Sequence, residues 1–231
     1  MTLEALRLCV VSDRARMGTD PGAAVVDLAR VGLRALQWRE KDLTPAQNYQ
    51  WLRSIAARLD DAGLIRAEPC RGRDPEAALR LFVNDRADLA LSLCLDLQLT
   101  EASMPTPAAR ALLHPGQLLG RSAHSLASAQ AAEAGGADFV IFGPVFDTPS
   151  KRPYGPPLGL ERQREVTRAL SIPVLAIGGI TADRVASCLE AGAFGVAVMG
   201  AVWDSADPAA AVQELLQTVG AAAGRGGPGP G

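Results

Sequence analysis

The 231-residue sequence predicts a single α/β domain folded as a parallel (β/α)8 barrel of the TIM type. Three observations carry this expectation. Short apolar runs alternate with helical stretches along the chain, the pattern of parallel strands covered by crossover helices. The runs are apolar throughout rather than alternating, as strands buried on both faces must be. The length also lies close to the roughly 250 residues over which such a barrel closes.

The elements follow in order. Leu8-Cys9-Val10-Val11 reads as the first strand and ends in Ser12-Asp13-Arg14. A helix is expected from about Pro21, with Val25, Leu28, Ala29 and Gly32 on one face. Ala35-Leu36-Gln37-Trp38 is the second strand and runs into Arg39-Glu40-Lys41. Thr44, Pro45 and Gln47 form a capping-box start to a helix that buries Leu52, Ile55, Ala56 and Leu59. Leu81-Phe82-Val83 leads into Asn84-Asp85, and residues 95–99 give the weakest of the strand patterns. Leu118-Leu119-Gly120 leads into Arg121-Ser122-Ala123-His124, with Ser125 as the next helix cap. Phe139-Val140-Ile141-Phe142 leads into Gly143-Pro144. Residues 173–177 lead into Gly178-Gly179, with Thr181 as a cap, and residues 195–198 lead into Met199-Gly200. Asp207-Pro208 opens a last helix through Leu215, Leu216 and Val219. The barrel is thus assigned to residues 1–219. Residues 67–74 read as a surface loop, and the Gly/Pro-rich tail 220–231, with nothing to bury, is expected to be disordered.

Composition narrows the function. Hydrophobic residues make up 48% and charged residues 21%, ordinary values for a globular chain with a large core. A net charge of −2 leaves no electrostatic footprint for nucleic acid, so an anionic ligand must be held by local groups. No apolar stretch is long enough to span a membrane. Cys9, Cys70, Cys94 and Cys188 show no C-x-x-C spacing and no secretory signal precedes them; they read as reduced, inert thiols of a cytoplasmic protein.

In a barrel of this kind chemistry sits at the carboxyl ends of the strands. Polar residues gather there repeatedly: Gln37, Arg39 and Lys41; Asn84 and Asp85; Ser122 and His124; Thr148, Ser150 and Lys151; Gly178 and Gly179. Gly178-Gly179, completed by Met199-Gly200, looks like a backbone cradle for a phosphate, since glycine lets the chain approach an anion and a helix N-terminus follows. Arg39, Lys41 and Lys151 could hold a diphosphate or another anion. Asn84-Asp85 is a half-site for Mg²⁺, thin with one carboxylate. Residues 144–157 hold five prolines in a long loop of the sort that forms lids. A histidine's titration range suits proton transfer, and His124 is the histidine at a strand end; His114 falls at the other face of the barrel.

Together, Gln37-Trp38-Arg39-Glu40-Lys41, Val83-Asn84-Asp85-Arg86, the run from Gly120 to Ser125, the run from Gly143 to Lys151, and Ile177-Gly178-Gly179-Ile180 resemble the thiamin phosphate synthase / TenI family. The synthase branch joins a pyrimidine methyl diphosphate to a thiazole ethyl phosphate. The resemblance implies that Arg39, Lys41, Asn84, Ser122 and Lys151 hold the diphosphate, with Asp85 on Mg²⁺. It places Thr148 and Gln37 against the pyrimidine, and Gly179 with the Met199-Gly200 turn on the thiazole phosphate.

One segment departs from the synthase pattern. Where that branch reads G-V-H-L-G-Q-x-D, this chain reads Asp96-Leu97-Gln98-Leu99-Thr100-Glu101-Ala102-Ser103, which puts Ser103 at the second metal carboxylate and Gln98 at the histidine. On that ground the expectation is a metal-free, TenI-like thiazole tautomerase with His124 catalytic. The alternatives are a Mg²⁺-dependent synthase and a non-catalytic thiazole phosphate-binding protein. The expected partners are small molecules, without nucleic acid or membrane, and assembly as a homodimer is left open.

Overall fold

In the computed structural model, which describes residues 3–65, 79–148, 152 and 155–224, eight parallel strands form one closed barrel in sequence order. They are β1 (Leu8–Val11), β2 (Ala35–Trp38), β3 (Arg80–Asn84), β4 (Asp96–Leu99), β5 (Leu119–Ala123), β6 (Phe139–Phe142), β7 (Val174–Ile177) and β8 (Gly195–Val198). Closure is set by pairing of β8 with β1, Cys9 lying opposite Ala197 on one side and Ala35 on the other. The covering helices are α1 (Pro21–Arg30), α2 (Pro45–Asp61), α3 (Ala87–Ser92), α4 (Thr106–Leu112), α5 (Leu126–Ala134), α6 (Gly159–Ala169), α7 (Ala182–Glu190), α8 (Gly200–Trp203) and α9 (Pro208–Ala223). Among the described residues no helix is long and apolar enough to cross a membrane.

The caps explain where several helices begin. Thr44 and Gln47 exchange the two bonds of a capping box at α2, Ser125 and Ser128 do so at α5, and the Asp207 carboxylate accepts from Ala210 N–H at α9. Each satisfies amide groups that the first helical turn leaves unpaired. Thr181 stands at the start of α7 as expected, yet its hydroxyl donates to the Asp183 carboxylate at 2.6 Å instead of capping the backbone.

The side chains inside the barrel include Cys9, Ala35, Phe82, Phe139, Ile141, Leu175 and Ala197, while the larger apolar layer lies between the strands and the helices. Phe82 and Phe139 meet edge to face at 5.3 Å. At the amino-terminal end of the barrel Arg80 and Asp96 form a buried two-bond ion pair, 2.9 and 3.0 Å, and Asp96 also accepts from Leu118 N–H. That end therefore carries a polar staple.

Some expectations require correction. Gly32 lies beyond α1, in a turn at φ +107°, because only glycine tolerates that backbone as the chain leaves the helix. β5 runs on to Ala123, so Ser122 is a strand residue and His124 directly follows the strand. α9 continues to Ala223, four residues into the stretch expected to be a disordered tail; alanines at 221–223 are strong helix formers and extend a helix already nucleated. The remainder of that tail, residues 225–231, and the loop at 67–74 lie outside the described residues. Cys94 is disulfide-bonded, against the expectation of four reduced thiols; its partner lies outside the described residues. Distant cysteines can pair across a fold without any local spacing to announce it. Cys9 and Cys188 are free and buried, and burial pushes each thiol up to about 12, which keeps them inert as expected.

Candidate active site

The carboxyl ends of the strands bring the predicted residues that lie within the described segments onto one face. Gln37, the inward-pointing polar residue of β2, is buried and donates from Nε2 to the Asn84 Oδ1 of β3 at 2.9 Å. That bond occupies the Asn84 acceptor and leaves its NH2 as a donor. Gln98 in β4 does the same for β5, donating from Nε2 to Ser122 Oγ at 3.2 Å and to Leu99 O at 3.3 Å. Ser122 then keeps its hydroxyl hydrogen for another acceptor. Gln98 is 1% exposed, and its Oε1 has no hydrogen-bond partner among the described residues. It lies where a side chain at position 120 would stand, so Gly120 is required for that amide to fit.

The cations are arranged unequally. Most of the described arginines are engaged; Arg14 pairs with Asp42 at 2.6 Å, Arg16 with Asp13 and Asp204, and Arg86 with Asp88 at 2.5 Å. Arg39 and Lys41, just past β2, have no ion-pair partner among the described residues. Between them Glu40 is half-buried, accepts from Ser12 Oγ and from Arg14 N–H, and burial raises its carboxyl above the usual range. Asp85, just past β3, is exposed at φ +60°. Among the described residues no group of three or more His, Cys, Asp or Glu gathers for a metal. Ser103 Oγ is taken up by Thr100, at 2.8 Å from its N–H and 2.7 Å from its hydroxyl, so it closes a turn.

At β7 the chain passes through two left-handed glycines, Gly178 at φ +100° and Gly179 at φ +63°. Their carbonyls accept from Phe146 N–H at 3.0 Å and from the Arg184 guanidinium at 2.6 Å. Their Cβ-free faces are pressed by the loop after β6: a side-chain carbon on Gly178 would stand 2.5 Å from Pro144, and one on Gly179 would run into the Asp147 carbonyl. Loop packing therefore demands both glycines independently of any ligand. The N–H groups of Gly179 and Gly200 have no partner among the described residues. Next door, Arg16 bridges Asp204 and the Met199 sulfur, holding the turn after β8.

His124 is exposed, with Nδ1 bonded to the Gly143 carbonyl and Nε2 3.9 Å from Glu101 Oε2. A carbonyl only accepts, so Nδ1 carries a hydrogen. Arg121, which sequence reasoning passed over, donates to the Met104 and Glu101 carbonyls at 2.6 and 3.0 Å and secures the loop after β4. Thr148 lies partly buried at the end of the described segment, while Ser150 and Lys151, with Pro149, fall outside the described residues. Ser12 and Glu40 also escaped the sequence reading, although Ser12 sits at a strand end like every other residue singled out.

A closed parallel barrel that collects polar side chains at the carboxyl ends of its strands, with Arg39 and Lys41 unpaired among the described residues and a double-glycine turn, has the architecture of an α/β-barrel enzyme. Residues 8–202 match the family described as thiamine monophosphate synthase. The thiamine-phosphate synthase of Anaeromyxobacter dehalogenans is 41% identical over 199 residues, 86% of this chain and 82% of the relative. That of Moorella thermoacetica is 38% identical over 195 residues, 84% of this chain and 86% of the relative. The solved thiamine phosphate pyrophosphorylase from Pyrococcus furiosus has a TM-score of 0.79 at 30% identity, covering 95% of this chain and 98% of that one. The chain belongs to the thiamine monophosphate synthase family, and with it to thiamin biosynthesis.

Proposed function

We propose that this chain is a thiamin phosphate synthase, the alternative rather than the first reading of its sequence. One observation carries the choice. The barrel mouth holds two regions suited to anions, the β7–β8 glycine turns and the unpaired Arg39 and Lys41 after β2. A tautomerase acting on one monophosphate needs only the first. An enzyme that joins a monophosphate to a diphosphate needs both. The synthase names of the relatives point the same way.

In this reading Arg39 and Lys41, with the donors of Asn84 and Ser122 and with Lys151, take the diphosphate of the pyrimidine substrate. Gln37 and Thr148 line the pyrimidine, with Ser150 close by in sequence. Gly178, Gly179 and the Met199-Gly200 turn take the thiazole phosphate through backbone N–H groups. The methylene C–O bond breaks, the electron pair leaves with the diphosphate, and the thiazole nitrogen forms the new C–N bond. The protein contributes charge stabilisation on the departing group and alignment of the nucleophile.

The family resemblance implies Mg²⁺, and the donor set fits it in a limited form. Asp85 is a single carboxylate at the mouth and Ser103 is committed to Thr100. Mg²⁺ is commonly held by one or two carboxylates with substrate phosphates completing its shell. Asp85 would hold an ion that arrives with the diphosphate, and that ion would neutralise part of its charge. Turnover with both substrates, with and without Mg²⁺, tests the proposal. Mg²⁺-dependent formation of thiamin phosphate is expected; thiazole isomerisation alone, indifferent to Mg²⁺, would return the first reading. Ser103→Asp is expected to raise Mg²⁺-dependent turnover.

The tautomerase reading retains one specific support, the orientation of His124. With Nδ1 held by Gly143 and Nε2 facing Glu101, the ring is arranged to accept and return a proton. If that activity is present, His124→Ala should lower it by about 10²–10⁴-fold while thiazole phosphate affinity, read by calorimetry, stays near that of the unaltered chain.

A further inference from the structure

The loop between the two free cations is tied down by a residue pair that neither the fold nor the reaction accounts for. Ser12, at the end of β1, is 1% exposed. Its N–H donates to Gln37 O at 2.8 Å, its Oγ donates to Glu40 Oε1, and the same Oγ accepts from Arg39 N–H at 2.8 Å. Glu40 Oε1 accepts a second hydrogen bond from Arg14 N–H at 3.1 Å. On its other side the Glu40 carbonyl accepts from Asn48 Nδ2 at 3.3 Å, which fastens it to α2. The side chains of Arg39 and Lys41 flank this knot and have no hydrogen-bond or ion-pair partner among the described residues.

The chemistry of the pair is informative. Glu40 stands between an arginine and a lysine in sequence, and its carboxylate pairs with neither among the described residues. Here its bonds go to a hydroxyl and a backbone amide. The carboxylate is half-buried and its charged form is disfavoured by that burial, a cost with no compensating ion pair. The arrangement diverts a neighbouring carboxylate from Arg39 and Lys41, as the Arg14 pair does for Asp42, and uses it to fix the backbone from which they project.

We infer that Ser12 and Glu40 are positioning residues: a hydrogen-bonded relay from β1 that sets Arg39 and Lys41 for the diphosphate. This rests on the synthase reading, because a ligand with a single phosphate would leave those cations without a task.

The test is calorimetric titration of inorganic pyrophosphate with Mg²⁺, and separately of thiazole phosphate, into the unaltered chain and into Ser12→Ala, Glu40→Ala and Glu40→Gln. Ser12→Ala strands the Arg39 N–H, and Glu40→Ala strands the Ser12 hydroxyl and the Arg14 N–H. Each should weaken pyrophosphate about tenfold, the effect of losing one buried hydrogen bond. Glu40→Gln keeps an Oε1 that can accept both bonds and should remain within about threefold. Thiazole phosphate affinity should be the same in all four proteins. Equal pyrophosphate affinity in all four overturns the relay and leaves the synthase reading standing. Parallel loss of both ligands also overturns it, since general damage to the barrel would suffice. An unaltered chain that binds no pyrophosphate sinks the synthase reading and the relay with it.

Discussion

Lys41 is exposed and Arg39 partly so, which lets both stand without partners; a charge left bare in the interior would cost several kcal/mol, on the order of the burial penalty for an unpaired ion. Arg39→Ala should therefore cost little in stability, while the KM for the diphosphate substrate rises by roughly tenfold or more, the usual loss of a charge-assisted hydrogen bond. Arg39→Lys should restore only part of it, since lysine lacks the planar fork. Steady-state kinetics with the thiazole substrate saturating would show both. Glu40 adds a pH dependence. Its carboxyl is raised by burial, so its contribution to stability is present below the unfolded value and lost as pH rises through the folded one. Glu40→Gln should accordingly be more stable than the unaltered chain at pH 7 to 8 and lose that advantage in acid, as urea titrations at the two pH values would read. At this scale the sequence was legible where a polar side chain closes an apolar run, which is why Gln37, Asn84, Ser122 and His124 could be placed at the strand ends. Ser12 and Glu40 were not found, because a bond between residues 28 apart has no local signature.

The elements repeat the lesson in a different form. Strand cores and capping boxes were readable because they depend on neighbours in sequence: Thr44 with Gln47, Ser125 beside its helix, apolar quartets in β1, β6 and β7. Boundaries were not, because they depend on partners in space. β5 extends through Arg121 and Ser122 since β6 supplies the matching ladder, Arg121 opposite Val140 and Ser122 opposite Ile141. The loops after β6 and β7 depend on each other in the same way, and Gly179 joins a left-handed backbone to a close approach by Asp147. Gly179→Ala should cost about 1–3 kcal/mol of stability in the ligand-free protein, measurable by urea unfolding. An unchanged midpoint would mean that the loop after β6 can move aside.

Across the whole molecule the two ends of the barrel are specialised. The carboxyl end carries the candidate chemistry, and the amino end carries the buried Arg80–Asp96 pair. Asp96→Ala leaves a guanidinium without its carboxylate and should destabilise the fold by about 3–5 kcal/mol, while kcat of the protein that remains folded is unchanged. A parallel fall in kcat would show that the two ends are coupled. Closure of the ring has one more consequence. Cys9 lies inside it, Cys188 lies on the buried side of α7, and both thiols are kept protonated by burial. An alkylating reagent meets neither until the wall parts. The rate at which each becomes labelled in native buffer is therefore a clock for rare opening of the staves, Cys9 timing the ring itself and Cys188 the detachment of a single helix.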